Sequence, residues 1–253
     1  MHILILGDSD TRGEFAPGDT WPEQARARVA EATQEAISLS ERRFSATRPG
    51  APEFAQTLVR GIQPDLVLLP LGTFAFTSGF TWVRVQRLFG ARVANWYRKG
   101  EAAMDSRTRT AQRLPNSLGR VLRSVMRRVV GTQPITTSTA LAENYCEVLR
   151  ALARTEDCNV LVVAYPAERI TPVTIRDAFE QRRRFLEAVT SEAALHRYGV
   201  ADSTAAYRDA PNADELLTPD GFHSTVSGHK VLGAVVAGAI LAMSGSPQCE
   251  ART

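Results

Sequence analysis

The sequence is poor in cysteine. Its three, Cys146, Cys158 and Cys249, are an odd number with no metal-ligand spacing. That argues against a disulfide framework and against a metal centre, and it suits a reducing compartment. Long apolar runs are missing too, and no stretch approaches the roughly 20 apolar residues of a membrane span. The short run Ile3–Leu6 behind Met1 has neither the charged start nor the small-residue cleavage site of a signal peptide. A cytoplasmic location is expected. No glycine-rich phosphate loop is present, because Gly7 and Gly13 flank Asp8 and Asp10, whose charge repels phosphate. No cofactor is expected either.

What remains is the composition of an ordinary globular chain, 44% hydrophobic and 23% charged. Its 253 residues suffice for one sizeable α/β domain. Short apolar runs alternate with helical patterns. Ile3–Leu6 does not alternate in polarity and reads as a strand buried on both faces. A helix follows from Trp21 to Thr33, with Asp19 or Thr20 as its cap and Pro22 in its first turn. Ala36–Leu39 is a weaker strand, and a helix is expected from about Pro52 to Gly61 with Phe54, Leu58 and Ile62 inward. The run from Asp65 to Leu71 is a central strand with Pro70 near its end. Next come a helix from Leu141 to Thr155, an apolar strand Asn159–Ala164, and a long helix from Thr174 to Arg197. That helix turns Phe179, Phe185, Leu186 and Val189 inward, and Gly199 reads as its cap. A short strand to Asp202 and a closing helix from Val226 to Met243 complete the chain. The alternation predicts a parallel sheet with helices on both faces, and a site beyond the carboxyl ends of the strands.

Residues 74–138 break this rhythm and read as a helical cap or lid inserted in a single domain, 1–253. Leu118, Val121, Leu122, Val125, Met126, Val129 and Val130 keep helical spacing, and Val85, Leu88, Phe89, Val93, Trp96 and Tyr97 give a rougher second pattern. Between Trp82 and Val130 stand twelve Lys/Arg against Glu101 and Asp105, about +10 in a chain of net charge +3, which leaves about −7 elsewhere. The bland reading is a solvated cationic face. Nucleic acid is not the expected partner, since no recognised module accompanies the charge. Two other partners suit it: an anionic membrane surface, or an acidic carrier protein bearing an acyl thioester.

Two segments carry chemistry. Gly7-Asp8-Ser9-Asp10-Thr11-Arg12-Gly13 directly follows the first strand, where a sharp turn exposes a serine hydroxyl; the competing reading is a plain Gly/Asp/Ser-rich turn. Asp220-Gly-Phe-His223 offers a carboxylate and an imidazole three residues apart, the pair a serine nucleophile needs for its base and for orienting that base. Read alone, it is also a turn before a helix capped by Ser224 or Thr225. His229 is read as structural, and His196 as a cation near a helix end.

Together the two segments resemble the GDSL, or SGNH, hydrolase family, with Ser-Gly-His229 and the last helix resembling that family's ending. The resemblance implies a three-layer, flavodoxin-like α/β fold with a central parallel sheet. It makes Ser9 the nucleophile, His223 the base and Asp220 its partner. The middle blocks depart from the family. Where it carries Gly-x-Asn-Asp, this chain has Gly72-Thr73-Phe74-Ala75, so Phe74 replaces the asparagine that donates to the oxyanion. The stretch Ser40–Ala46 holds no glycine to match the family's second block, though an amide near Phe44 or Ser45 can serve. The Ser9 amide, Gly72 and the hydroxyls of Thr73, Thr77 and Ser78 are the other candidates. The implied activity is that of an esterase or thioesterase on a small acyl ester or thioester. An acyltransferase using the same acyl-Ser9 intermediate, and a non-catalytic binding module on this fold, are the alternatives.

Overall fold

The computed structural model describes residues 1–7, 11, 16, 18–99, 125, 128–155, 158–166, 174–218 and 221–244. The chain divides into two compact units. One comprises Met1–Thr73, Ser138–Thr171 and Phe179–Thr253, the other Phe74–Thr137 and Pro172–Ala178.

The first unit is built on five strands: β1 (His2–Gly7), β2 (Ser38–Arg43), β3 (Leu66–Leu71), β4 (Asn159–Ala164) and β5 (Gly199–Asp202). All pair in parallel, in the order β2-β1-β3-β4-β5. That is the flavodoxin-like order, with its switch point between β1 and β3. Register sets Ile3 beside Leu39 on one side and Leu66 on the other. Alternate side chains then face opposite layers. Ile3, Ile5, Leu66, Leu68, Leu161 and Val163 form one core with α1 (Trp21–Thr33) and α9 (Val226–Ser244). Leu4, Leu6, Val67, Leu69, Val160 and Val162, equally buried, point to the other side. There α2 (Ala51–Ile62) packs on α6 (Ser138–Ala153), and Tyr145 of α6 meets Phe185 of α7 (Ala178–Leu195) edge to face. The fold is thus the three-layer α/β sandwich expected, with both faces of the sheet covered.

Several local expectations are corrected. The second strand lies at Ser38–Arg43, later than the apolar run suggests, because as an edge strand it bonds β1 on one side only and tolerates a polar sequence. On α2 the buried stripe runs through Ala51, Ala55 and Val59, with Phe54, Leu58 and Ile62 half-buried beside it; small residues bring α2 close to α6. Helix α7 starts at Ala178, since Thr174 bridges to Ser78 and Ile175 N–H donates to the Thr77 carbonyl, both within the second unit. Phe179 is exposed, and the buried face passes through Arg182, Phe185, Val189 and Ala193. The guanidinium of Arg182 donates to the Tyr165 carbonyl at 2.6 Å. Arg197, not Gly199, closes α7: it takes φ +58°, with Tyr198 N–H on the Ala193 carbonyl and Arg197 N–H on that of Ala194. Finally, α9 has 19 residues and a mean hydropathy of 1.6, long and apolar enough to span a bilayer by composition. It packs instead on α1, β4 and β5 and supplies Leu232, Val236 and Ile240 to the core.

In the second unit, α3 (Phe74–Thr77) is a single turn, followed by α4 (Thr81–Phe89) and by α5, helical over residues 91–99. Phe80 and Gln133 form a two-bond antiparallel bridge that returns the chain. Most of the pattern over 118–130 lies outside the described residues.

Candidate active site

Two of the three expected catalytic residues, Ser9 and Asp220, fall outside the described residues, while His223 is described. The frame around all three positions is visible. β1 ends at Gly7, whose carbonyl accepts the Phe44 N–H at 2.8 Å. A Cβ on Gly7 would collide with the side chain of Thr11, so glycine is required where the chain leaves the strand. Thr11 is buried, and its hydroxyl donates to the Glu41 carboxylate of β2. Gly7 and Thr11, the described residues on either side of position 9, are thus both tied to β2 and the residue that follows it.

The segment that carries His223 is a short hairpin. Leu217 bridges antiparallel to Ser224, Thr218 N–H donates to the His223 carbonyl at 2.8 Å, and Thr225 N–H donates to that of Leu216 at 2.9 Å. Gly221 takes φ +79° and donates to the Thr218 carbonyl, a geometry that favours glycine. Behind the hairpin, the Tyr207 hydroxyl of α8 (Thr204–Arg208) donates to the Gly228 carbonyl at 2.6 Å. Its single proton is thereby used, so the buried Ser224 hydroxyl at 3.0 Å is the donor to Tyr207. Thr225 caps α9, its Oγ1 accepting the Gly228 N–H at 3.2 Å. A Cβ on Gly228 would strike the Leu216 carbonyl. The segment is thus both a turn with a helix cap and a mount for an exposed imidazole.

His229 joins the two segments. Wholly buried, it accepts the Trp21 N–H on Nδ1 at 3.1 Å. Of the two expected caps of α1, Thr20 stands at the N-cap, but it makes no side-chain cap bond, and the imidazole from α9 satisfies the first helical amide. Burial, helped by the charge of His223 and opposed by Asp19, pushes the His229 pKa down to about 4. His223 and Asp19 therefore both stand within electrostatic reach of one ring. The start of α1 and the start of α9 are thereby held together.

After β3, the Gly72 N–H donates to the Tyr145 hydroxyl at 3.2 Å, and that hydroxyl donates to the Pro70 carbonyl at 3.1 Å. Gly72 is positioned, but its amide is already engaged. Thr73 is buried beside it, whereas Phe74 begins the second unit and is 42% exposed. Thr77 and Ser78 are buried within the second unit. Because the Phe44 amide is committed to Gly7, the exposed Ser45 carries the β2-side candidacy; its hydroxyl pairs with that of Thr47 at 2.8 Å. Among the described residues no group of His, Cys, Asp and Glu is arranged to hold a metal ion. Tyr145, Tyr207 and the Thr11–Glu41 pair were not legible as site residues. Each is a polar group on an otherwise apolar or edge element, a signal weak without coordinates.

The fold finds its counterparts among solved structures. Aligned on 96% of both chains, the lipase/acylhydrolase of Enterococcus faecalis superimposes with a TM-score of 0.59 at 16% identity. Est24, a carbohydrate acetylesterase from Sinorhizobium meliloti, gives 0.57 at 14% identity over 96% of this chain and 99% of its own. The inhibitor-bound M. smegmatis aryl esterase gives 0.56 at 14% identity over 95% and 98%. No protein-family model matches the chain, and no curated protein matches it in sequence. At such identities the likeness establishes the fold alone, the three-layer α/β fold that these esterases and lipases share.

Proposed function

We propose that the protein is a serine acyl hydrolase of the SGNH type, acting on a small acyl ester or thioester. The Ser9 hydroxyl attacks the acyl carbon while His223 takes its proton, and Asp220 orients the imidazole and stabilises its charged form. The oxyanion is met by the Ser9 amide together with Thr73 or the Ser45 amide, since the Phe74 side chain has no donor to offer. His223 returns the proton to the departing alcohol or thiol, and water releases the acyl group from Ser9. Losing one oxyanion donor costs on the order of 10²–10³ in rate, so a thioester, with its weaker demand, is the favoured substrate class. The observation that carries the reading is the joint presence of the Gly7-Asp8-Ser9 and Asp220-Gly-Phe-His223 segments in a chain whose fold is shared with solved esterases and lipases; in support, the buried Trp21–His229 hydrogen bond ties the start of α1 to the start of α9.

A serine-directed fluorophosphonate tests it. Covalent labelling is expected, abolished by Ser9→Ala and weakened by His223→Ala. Absence of labelling on folded protein would overturn the proposal in favour of a binding module. Mass spectrometry of products from ester and thioester substrates, with and without an added amine or alcohol acceptor, then distinguishes hydrolysis from acyl transfer.

A further inference from the structure

The second unit exposes apolar side chains that a solvated cationic face does not need. On α4 the buried residues Thr81 and Val85 begin a stripe whose next members, at helical spacing, are Leu88 and Phe89. These last two are 50% and 61% exposed. After Gly90, the pair Val93 and Trp96 of α5 stands three residues apart, 44% and 78% exposed, while Ala94 faces inward. An indole left so open to water is rare in a globular protein. The cations Arg84, Arg87, Arg92, Arg98 and Lys99 are interspersed, and residues 81–99 contain no carboxylate. Arg98 stacks on the Trp82 ring at 5.1 Å; Arg87, Arg92 and Lys99 are exposed.

We propose that this α4–α5 segment docks on an anionic phospholipid surface. The positive charge selects a negative partner. The open Phe89 and Trp96 ask in addition for hydrocarbon next to that charge, which a bilayer interface supplies within a few ångströms of its phosphates. An acidic protein would satisfy the arginines and leave the aromatics without a role. Docking belongs to the second unit and is independent of the chemistry at Ser9, so Ser9→Ala binds as the wild type does.

Sedimentation with phosphatidylcholine vesicles, with and without phosphatidylglycerol, tests the proposal. Capture is expected on the anionic vesicles only, falling as salt is raised. Arg87→Gln, Arg92→Gln and Lys99→Gln together should weaken it roughly a hundredfold, about fivefold for each cation removed. The pair Phe89→Ala and Trp96→Ala should weaken it by at least about tenfold. These side chains are exposed, so thermal melts should match the wild type; the comparison of lipids and salts on unaltered protein stands without any variant. No capture, or equal capture on both vesicles, overturns the proposal. So does loss in the charge variant with full retention in the aromatic one, the behaviour of a purely electrostatic surface for an acidic protein.

Discussion

A single imidazole does the work of a helix cap in this molecule. His229 must be neutral to accept the Trp21 amide, and its folded-state pKa lies near 4 against 6.5 for the free group. Between those values the unfolded chain binds a proton that the folded chain refuses. The contribution is therefore complete above about pH 6.5 and is lost as pH falls toward 4; a difference of this size amounts to roughly 3 kcal/mol. Urea unfolding followed from pH 7 to 4 should show the midpoint dropping across that window. His229→Gln, which keeps an acceptor but does not titrate, should flatten the drop. The structural reading of His229 was open in the sequence, since no nucleophile or metal spacing accompanied it. Its partner was not, because a contact across 208 positions leaves no local trace. Tyr145 and Tyr207 escaped notice for the same reason: their hydroxyls serve backbone groups of distant segments.

At the scale of elements, strands buried on both faces and helices with wide apolar faces announced themselves. β1, β3 and β4 lie within a residue of their apolar runs, and α1 spans the expected Trp21–Thr33. Where the pattern misled, packing had replaced hydrophobicity: β2 is placed by pairing with β1, and α2 by small residues that admit α6. The same principle governs α9 on α1. At Gly233 a Cβ would come within 2.6 Å of Gln24 Cβ and 3.0 Å of the Trp21 carbonyl, while at Gly238 it would meet nothing within 4 Å. Gly233→Ala should push the two helices apart and destabilise by about 1–3 kcal/mol. Gly238→Ala, on the same helix, should stabilise by about 0.4–1 kcal/mol. Chemical denaturation of the two variants in parallel checks the opposite signs.

For the molecule as a whole, the sheet alone is not a stable object. All five strands are complete by Asp202, yet one layer over them waits for α9, which brings Leu232, Val236 and Ile240 to the core. A chain cut after Asp202 should retain helical circular dichroism, bind a hydrophobic dye and unfold without a cooperative transition; a cooperative transition would show that α9 is dispensable. Because the Trp21 amide finds its acceptor in His229, the start of α1 is completed by a helix that lies 208 positions further along the chain. The clasp between the starts of α1 and α9 therefore closes only when α9 docks, so any chemistry that relies on it must wait for the fold to finish.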